Sequence, residues 1–185
     1  SHSAAYAYLV HNNTLVGTRT PLPDTGGVPL VIDATSSLLS WEITPEDWSQ
    51  IGMIFAGAQK NLGIPGMTVV IVRKSLLGEG KAHPLTPAPL DYTKQATAKS
   101  RWHTVNTFAV FAANRMLRWV EQQGGVAEMH RRAKERSTLL YDALERSTLF
   151  TANIPNPADR SIMNVTFSLP TPALTERFLA EAEAH

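Results

Sequence analysis

The chain has 185 residues, 43% of them hydrophobic, and a formal net charge of +1. That is apolar material for one domain or one and a half, and it excludes a disordered chain. The near-neutral balance gives no reason to expect nucleic acid or a membrane surface as a partner. With no cysteine, a disulfide scaffold and thiolate chemistry are excluded, which fits a reducing cytoplasm. No apolar run approaches the roughly 20 residues that span a bilayer. Ser1–Ala5 lack a charged region followed by an apolar one, so no signal peptide is expected.

In chain order, Val28–Asp33 is a short, mostly apolar run after Gly26-Gly27 and reads as a buried strand ending on Asp33. Ile51–Ala56 is a second such run, and Met67–Val72, rich in β-branched residues, a third. Short continuous runs of this kind predict a sheet covered on both faces. Residues 78–105 hold several prolines and glycines and little periodicity, which predicts a long connection. Phe108, Phe111, Ala112, Met116 and Trp119 or Val120 recur at helical spacing, and the helix should stop at Gly124-Gly125. A second helix is expected from about Val126 to Leu144, with Met129, Ala133, Leu139, Leu140 and Leu144 as its apolar side. Ile162–Leu169 reads as a strand. A last helix begins with Thr171 as N-cap and Pro172 at its first position, with Leu174, Phe178 and Leu179 as an apolar stripe.

Two places concentrate chemistry. In Ala56-Gly57-Ala58-Gln59-Lys60-Asn61-Leu62-Gly63 a lysine directly follows a strand, flanked by small residues. A Schiff-base lysine needs this setting: the backbone must let a flat ring approach, and low-dielectric surroundings would lower the amine's pKa. The ordinary alternative is a solvated lysine in a turn. Asp33 stands at the C-terminal end of a strand, where open α/β sheets bind ligands. A carboxylate there can keep a pyridine nitrogen protonated, so that the ring withdraws electrons from a carbanion. The ordinary alternative for Asp33 is an N-cap or Asx-turn residue. There is no GxGxxG after a strand, no P-loop and no HExxH, and the six histidines show no metal-ligand spacing, so no metal is expected. Arg131, Arg132, Lys134 and Arg136 read as the solvated face of a helix.

These stretches together resemble the phosphoserine aminotransferases, pyridoxal-phosphate (PLP) enzymes of fold type I, class V. The resemblance rests on Asp33–Ser37, Phe55–Asn61, Val69–Arg73, Leu76–Gly78, Asn106-Thr107, Gly124–Met129, Asp159–Val165 and Asn12–Gly17, so it covers nearly the whole chain. It implies an α/β fold: residues 1–125 as the C-terminal part of the PLP-binding large domain, a mainly parallel sheet flanked by helices, and 126–185 as the beginning of an α+β small domain. It implies Lys60 as the cofactor lysine and proton carrier, Asp33 at the pyridinium nitrogen, Thr14 near the ring's phenolic oxygen and Gln59 at the cofactor phosphate. Asn106 and Thr107 would reach the phosphate of the neighbouring subunit's cofactor, making a homodimer obligatory; a plain N-cap is compatible with that role, since helix N-termini favour phosphate. The implied activity moves an amino group between glutamate and 3-phosphohydroxypyruvate, giving phosphoserine and 2-oxoglutarate, in cytoplasmic serine biosynthesis.

The chain departs from the family pattern at Phe108, where prolines usually follow Asn-Thr, and in the spacer Trp41–Ser49, which is longer than usual. The family's glycine-rich phosphate turn, its ring-stacking aromatic and its substrate-binding basic residues have no counterpart here, so a fragment without activity of its own is expected. The alternatives are another class V enzyme, of the alanine–glyoxylate or desulfurase-like kind, and a non-catalytic remnant that folds and dimerises.

Overall fold

The computed structural model describes residues 4–184. In chain order its elements are β1 (Ala7–Val10), β2 (Asn12–Asn13), β3 (Thr18–Arg19), β4 (Leu30–Asp33), α1 (Pro45–Gln50), β5 (Ile51–Gly57), β6 (Thr68–Val72), α2 (Tyr92–Thr97), α3 (Thr107–Gln122), α4 (Gly125–Glu145), β7 (Thr151–Ala152), β8 (Phe167–Ser168) and α5 (Pro172–Glu183). No helix among the described residues is long and apolar enough to cross a membrane.

The main sheet has the order β1-β4-β5-β6. β1 and β5 both run parallel to β4, while β6 pairs antiparallel with β5. The connection Ala58–Met67 explains the change of direction, because it is too short for the helical crossover that a parallel neighbour needs. One face of the sheet holds the core: Leu30, Ile32, Ile54 and Ala56 are buried there with Leu38, Trp41, Leu62 and Ala113. Each large aliphatic side chain removed from water contributes about 2 kcal/mol. The other face is less covered than continuous apolar runs predict. Tyr8 (56% exposed) and Val10 lie open on it, and Val31, Met53 and Phe55 are half-buried.

β1 was not legible in the sequence; it forms the sheet edge beside β4. The spacer before β5 is α1, opened by a capping box in which Thr44 Oγ1 accepts from the Asp47 N–H and the Asp47 carboxylate accepts from the Thr44 N–H. α2 lies within the predicted connection 78–105, capped by Asp91. α3 and α4 fall where predicted, separated by Gly124, whose φ of 106° suits only glycine. The expected apolar side of α3 is only partly inward: Val120 is buried and Ala112 and Met116 are half-buried, but Phe108 and Phe111 are 68% and 58% exposed, and Ala109 and Ala113 are buried in their place. On α4 the expected Ala133 and Leu144 are buried, joined by Ser137 and Tyr141, while Leu139 and Leu140 are exposed.

The predicted strand Ile162–Leu169 shrinks to β8, which pairs antiparallel with β7. Ser161 Oγ accepts from the Met163 and Asn164 N–H groups, and this local turn competes with strand pairing. α5 starts as predicted, with Thr171 Oγ1 accepting from the Leu174 N–H. Phe150, Phe167 and Phe178 pack edge to face, with centroids 5.4–5.8 Å apart, and join α5 to the small sheet.

Candidate cofactor site

The parallel strands β1, β4 and β5 point their C-terminal ends at one edge of the sheet. There the chain leaves β1 into His11–Gly17, β4 into Ala34–Ser37 and β5 into Ala58–Gly63. Thr14, Asp33, Gln59 and Lys60 lie in or at the ends of these segments, the edge at which open α/β sheets bind ligands.

Ala58 and Leu62 are buried and pin the Lys60 loop from both sides, so Gln59 and Lys60 turn outward and are exposed. The low-dielectric surroundings expected for Lys60 are therefore not provided by the described residues. Lys60 Nζ donates to Thr14 Oγ1 at 2.7 Å, and no described carboxylate pairs with it. The amine is held by a hydroxyl and by no counter-charge among the described residues. Thr14 is itself fixed: Asn13 Oδ1 accepts from the Leu15 and Val16 N–H groups, at 3.1 Å each, and Gly17 closes the turn with φ +84°. A Cβ at Gly17 would lie 2.6 Å from Thr166 Oγ1, so that position admits only glycine.

Asp33 ends β4, and its Oδ1 accepts from the Thr35 N–H at 2.9 Å. The Asx turn is thus real, yet it leaves Oδ2 without a hydrogen bond among the described residues. Thr35 Oγ1 accepts from the Gly57 N–H at 3.3 Å and ties the Asp33 turn to the strand that carries Lys60. Tyr8 stacks on Phe55 near this carboxylate, with centroids 6.5 Å apart. Desolvation and, after it, the Asp33 charge raise the Tyr8 phenol above its ordinary pKa. Gln59 folds its amide back onto Gly57, where any Cβ would collide with it.

Asn106 and Thr107 stand apart from this group. Asn106 Oδ1 caps α3 by accepting from the Ala109 N–H at 3.0 Å, and its Nδ2 lies against Gly66, where a Cβ would strike it. Thr107 is exposed at the first turn of α3. Among the described residues neither is hydrogen-bonded to Lys60, Asp33, Thr14 or Gln59.

Sequence reasoning missed the neighbouring buried histidine. His11 is 2% exposed, its Nδ1 is 2.8 Å from Ser37 Oγ, and its ring lies over Trp41 at 4.0 Å between centroids. Burial pushes its pKa down to about 4; the Arg19 charge acts in the same direction and Asp47 opposes. The signal available was a polar pair, His11-Asn12, placed directly after the apolar Leu9-Val10.

The model of the class V aminotransferases matches residues 1–185. The phosphoserine aminotransferase of Lysinibacillus sphaericus is 43% identical over 181 residues, 97% of this chain and 49% of that protein. The phosphoserine aminotransferase of Streptococcus uberis is 41% identical over 182 residues, 98% of this chain and 48% of that protein. Among solved structures, phosphoserine aminotransferase from Bacillus circulans subsp. alkalophilus superposes with a TM-score of 0.92 at 34% identity, covering 100% of this chain and 50% of its own. The PLP-bound phosphoserine aminotransferase of Trichomonas vaginalis gives 0.86 at 39% identity, covering 94% of this chain and 49% of its own. The chain thus spans about half the length of the curated relatives it matches. It is a member of the class V aminotransferase family.

Proposed function

We propose that this chain carries the lysine-bearing half of a PLP-dependent phosphoserine aminotransferase, which transfers an amino group between glutamate and 3-phosphohydroxypyruvate. The observation that carries the reading is Lys60: an amine unpaired with any described carboxylate, hydrogen-bonded to the Thr14 hydroxyl at the ligand-binding edge of the sheet, one strand from Asp33. The identity to phosphoserine aminotransferases supports the choice of substrates.

The donor set fits the cofactor. There is an amine to bind it, a carboxylate with a spare oxygen and a hydroxyl next to the amine. When bound, PLP supplies an aldehyde that condenses with amines and a pyridinium ring that draws electrons from a substrate Cα. Lys60 Nζ holds the cofactor and moves a proton on and off the substrate Cα. The Asp33 carboxylate holds a proton on the ring nitrogen by its charge. Thr14 Oγ1 orients Lys60 Nζ and would serve the ring's phenolic oxygen, and Gln59 would bind the cofactor phosphate. Asn106 and Thr107, at the N-terminus of α3, serve the phosphate of a second subunit's cofactor, where a helix N-terminus favours negative charge; the working unit is a homodimer. Residues 1–125 belong to the PLP-binding domain and 126–185 to the small domain, and the enzyme works in the cytoplasm.

The test is incubation of the chain with PLP, reduction with borohydride, and peptide mapping. Label should concentrate on Lys60 and disappear in Lys60→Arg. Label spread evenly over other lysines, or none at Lys60, refutes the reading.

A further inference from the structure

Six of the buried polar side chains gather at the edge that carries the candidate site: His11, Asn12, Ser36, Ser37, Ser40 and Ser161. Asn12 is the hub. Its Nδ2 donates to Ser36 Oγ at 2.8 Å and to Asn164 Oδ1 at 2.7 Å, and its Oδ1 accepts from Ser161 Oγ. Ser36 Oγ donates in turn to the Asn12 carbonyl at 2.9 Å. Every hydrogen-bonding group of the Asn12 side chain is therefore used, at a residue only 5% exposed. Two further bonds bring the same late segment onto the Thr14 turn: the Ser161 N–H donates to the Gly17 carbonyl at 2.9 Å, and Thr166 Oγ1 donates to the Val16 carbonyl at 2.7 Å.

One side of this arrangement is the loop that follows Asp33, which contains Ser36. The other is the Ser161–Thr166 segment, which comes after α4, and Tyr141 of α4 donates to the Ser161 carbonyl at 3.0 Å. Between them lies the turn whose Thr14 hydroxyl accepts from Lys60 Nζ. A buried polar network with all its members satisfied fixes geometry tightly, and losing one member costs the remaining groups their partners.

We infer that Asn12 is a positioning residue: it locks the Thr14 turn to the Asp33 loop on one side and to the Ser161–Thr166 segment on the other, so the late segment sets the register between Thr14 Oγ1 and Lys60 Nζ. This rests on the proposed cofactor roles of Lys60 and Thr14. Asn164 touches neither Lys60 nor Asp33 by any described hydrogen bond, yet it reaches Lys60 through Asn12 and the turn.

Two readouts on the same protein test this. The first is hydrogen exchange of the Leu15, Val16 and Gly17 amides, which bond to Asn13 within the turn. The second is the rate at which PLP is trapped on Lys60 by borohydride. Asn164→Ala should speed exchange at these amides and slow trapping, each by about fivefold, the effect of one lost buried hydrogen bond. Asn164→Asp keeps an acceptor oxygen for Asn12 Nδ2 and should restore most of both. Val120→Ala on α3 loosens the core elsewhere and should leave both unchanged relative to global exchange. Unchanged exchange in Asn164→Ala, or equal changes in Val120→Ala, overturns the lock. Faster exchange with unaltered trapping overturns its link to Lys60. If the unmutated chain is not labelled at Lys60, the functional reading fails, and the exchange measurement alone decides whether the lock exists.

Discussion

The His11 environment gives a prediction with a definite sign. Its pKa falls from 6.5 to about 4 in the folded chain, because the ring is buried against Trp41 and Ser37. In the unfolded chain it titrates near 6.5. Above that pH both states carry a neutral ring, and His11 places no pH dependence on stability. Between 6.5 and 4 the unfolded chain takes up a proton that the folded chain refuses, so stability falls as pH falls, and below about 4 the loss stops growing. At 1.36 kcal/mol per unit the full loss is about 3 kcal/mol, most of it reached by pH 4.5. Arg19 adds to the effect and Asp47 reduces it. Carboxylates also titrate in this range, so the measurement is a comparison. Urea unfolding of the unmutated chain and of His11→Phe is followed at pH 7.5 and 4.5. The phenyl ring keeps the stack on Trp41 and leaves Ser37 Oγ without its partner, lowering stability at pH 7.5 by about 1 kcal/mol. On acidification the unmutated chain should lose about 2–3 kcal/mol more than the variant. Equal losses in the two proteins would show that His11 protonates freely in the fold, and the reasoning from burial would be wrong.

Gly66 should reject a side chain far more strongly than Gly80. Both have positive φ, but a Cβ at Gly66 would strike Asn106 Nδ2 whereas one at Gly80 meets open space. Gly66→Ala should cost about 1–3 kcal/mol more than Gly80→Ala in thermal unfolding, and equal costs would show that Asn106 yields without loss. Tyr141→Phe removes the hydroxyl that serves the buried Ser161 carbonyl, and should lower stability by about 1–2 kcal/mol in urea titration. No loss there would show that water replaces the hydroxyl.

The strands β4 and β5 were legible because buried strands read as short apolar runs, and β6, which buries no side chain fully, because its β-branched residues suit a strand. The Gly124 stop and the Thr171 cap were legible because each rests on local backbone chemistry. α3 shows where periodicity misleads. Its inner face lies so close to the Lys60 loop that a Cβ at Gly63 would be 3.4 Å from the Ala113 nitrogen. Only small residues fit there, and Ala109 and Ala113 give a weak apolar signal beside the outward Phe108 and Phe111. Lys60 and Asp33 were legible from their places at the ends of strands, and Thr14 only through the resemblance. The tie of the Asp33 turn to β5 through Thr35 was not legible, because a hydroxyl accepting from an amide 22 positions away leaves no local trace. His11 and Asn12 were passed over for the same reason: what marks them is the company they keep across the chain.

The Lys60 loop and the Asn12 hub differ in how far apart their parts lie in the sequence. The loop closes a hairpin between β5 and β6, so its pairing partners are near neighbours along the chain and can meet early. The hub joins Asn12 to Ser161 across 149 positions, a contact that must wait until the sheet, α3 and α4 are in place. Refolding should therefore form the lysine loop well before Thr14 arrives beside it. The candidate site then matures as a late event of folding, and PLP trapping at Lys60 during refolding would act as a clock for completion of the whole chain.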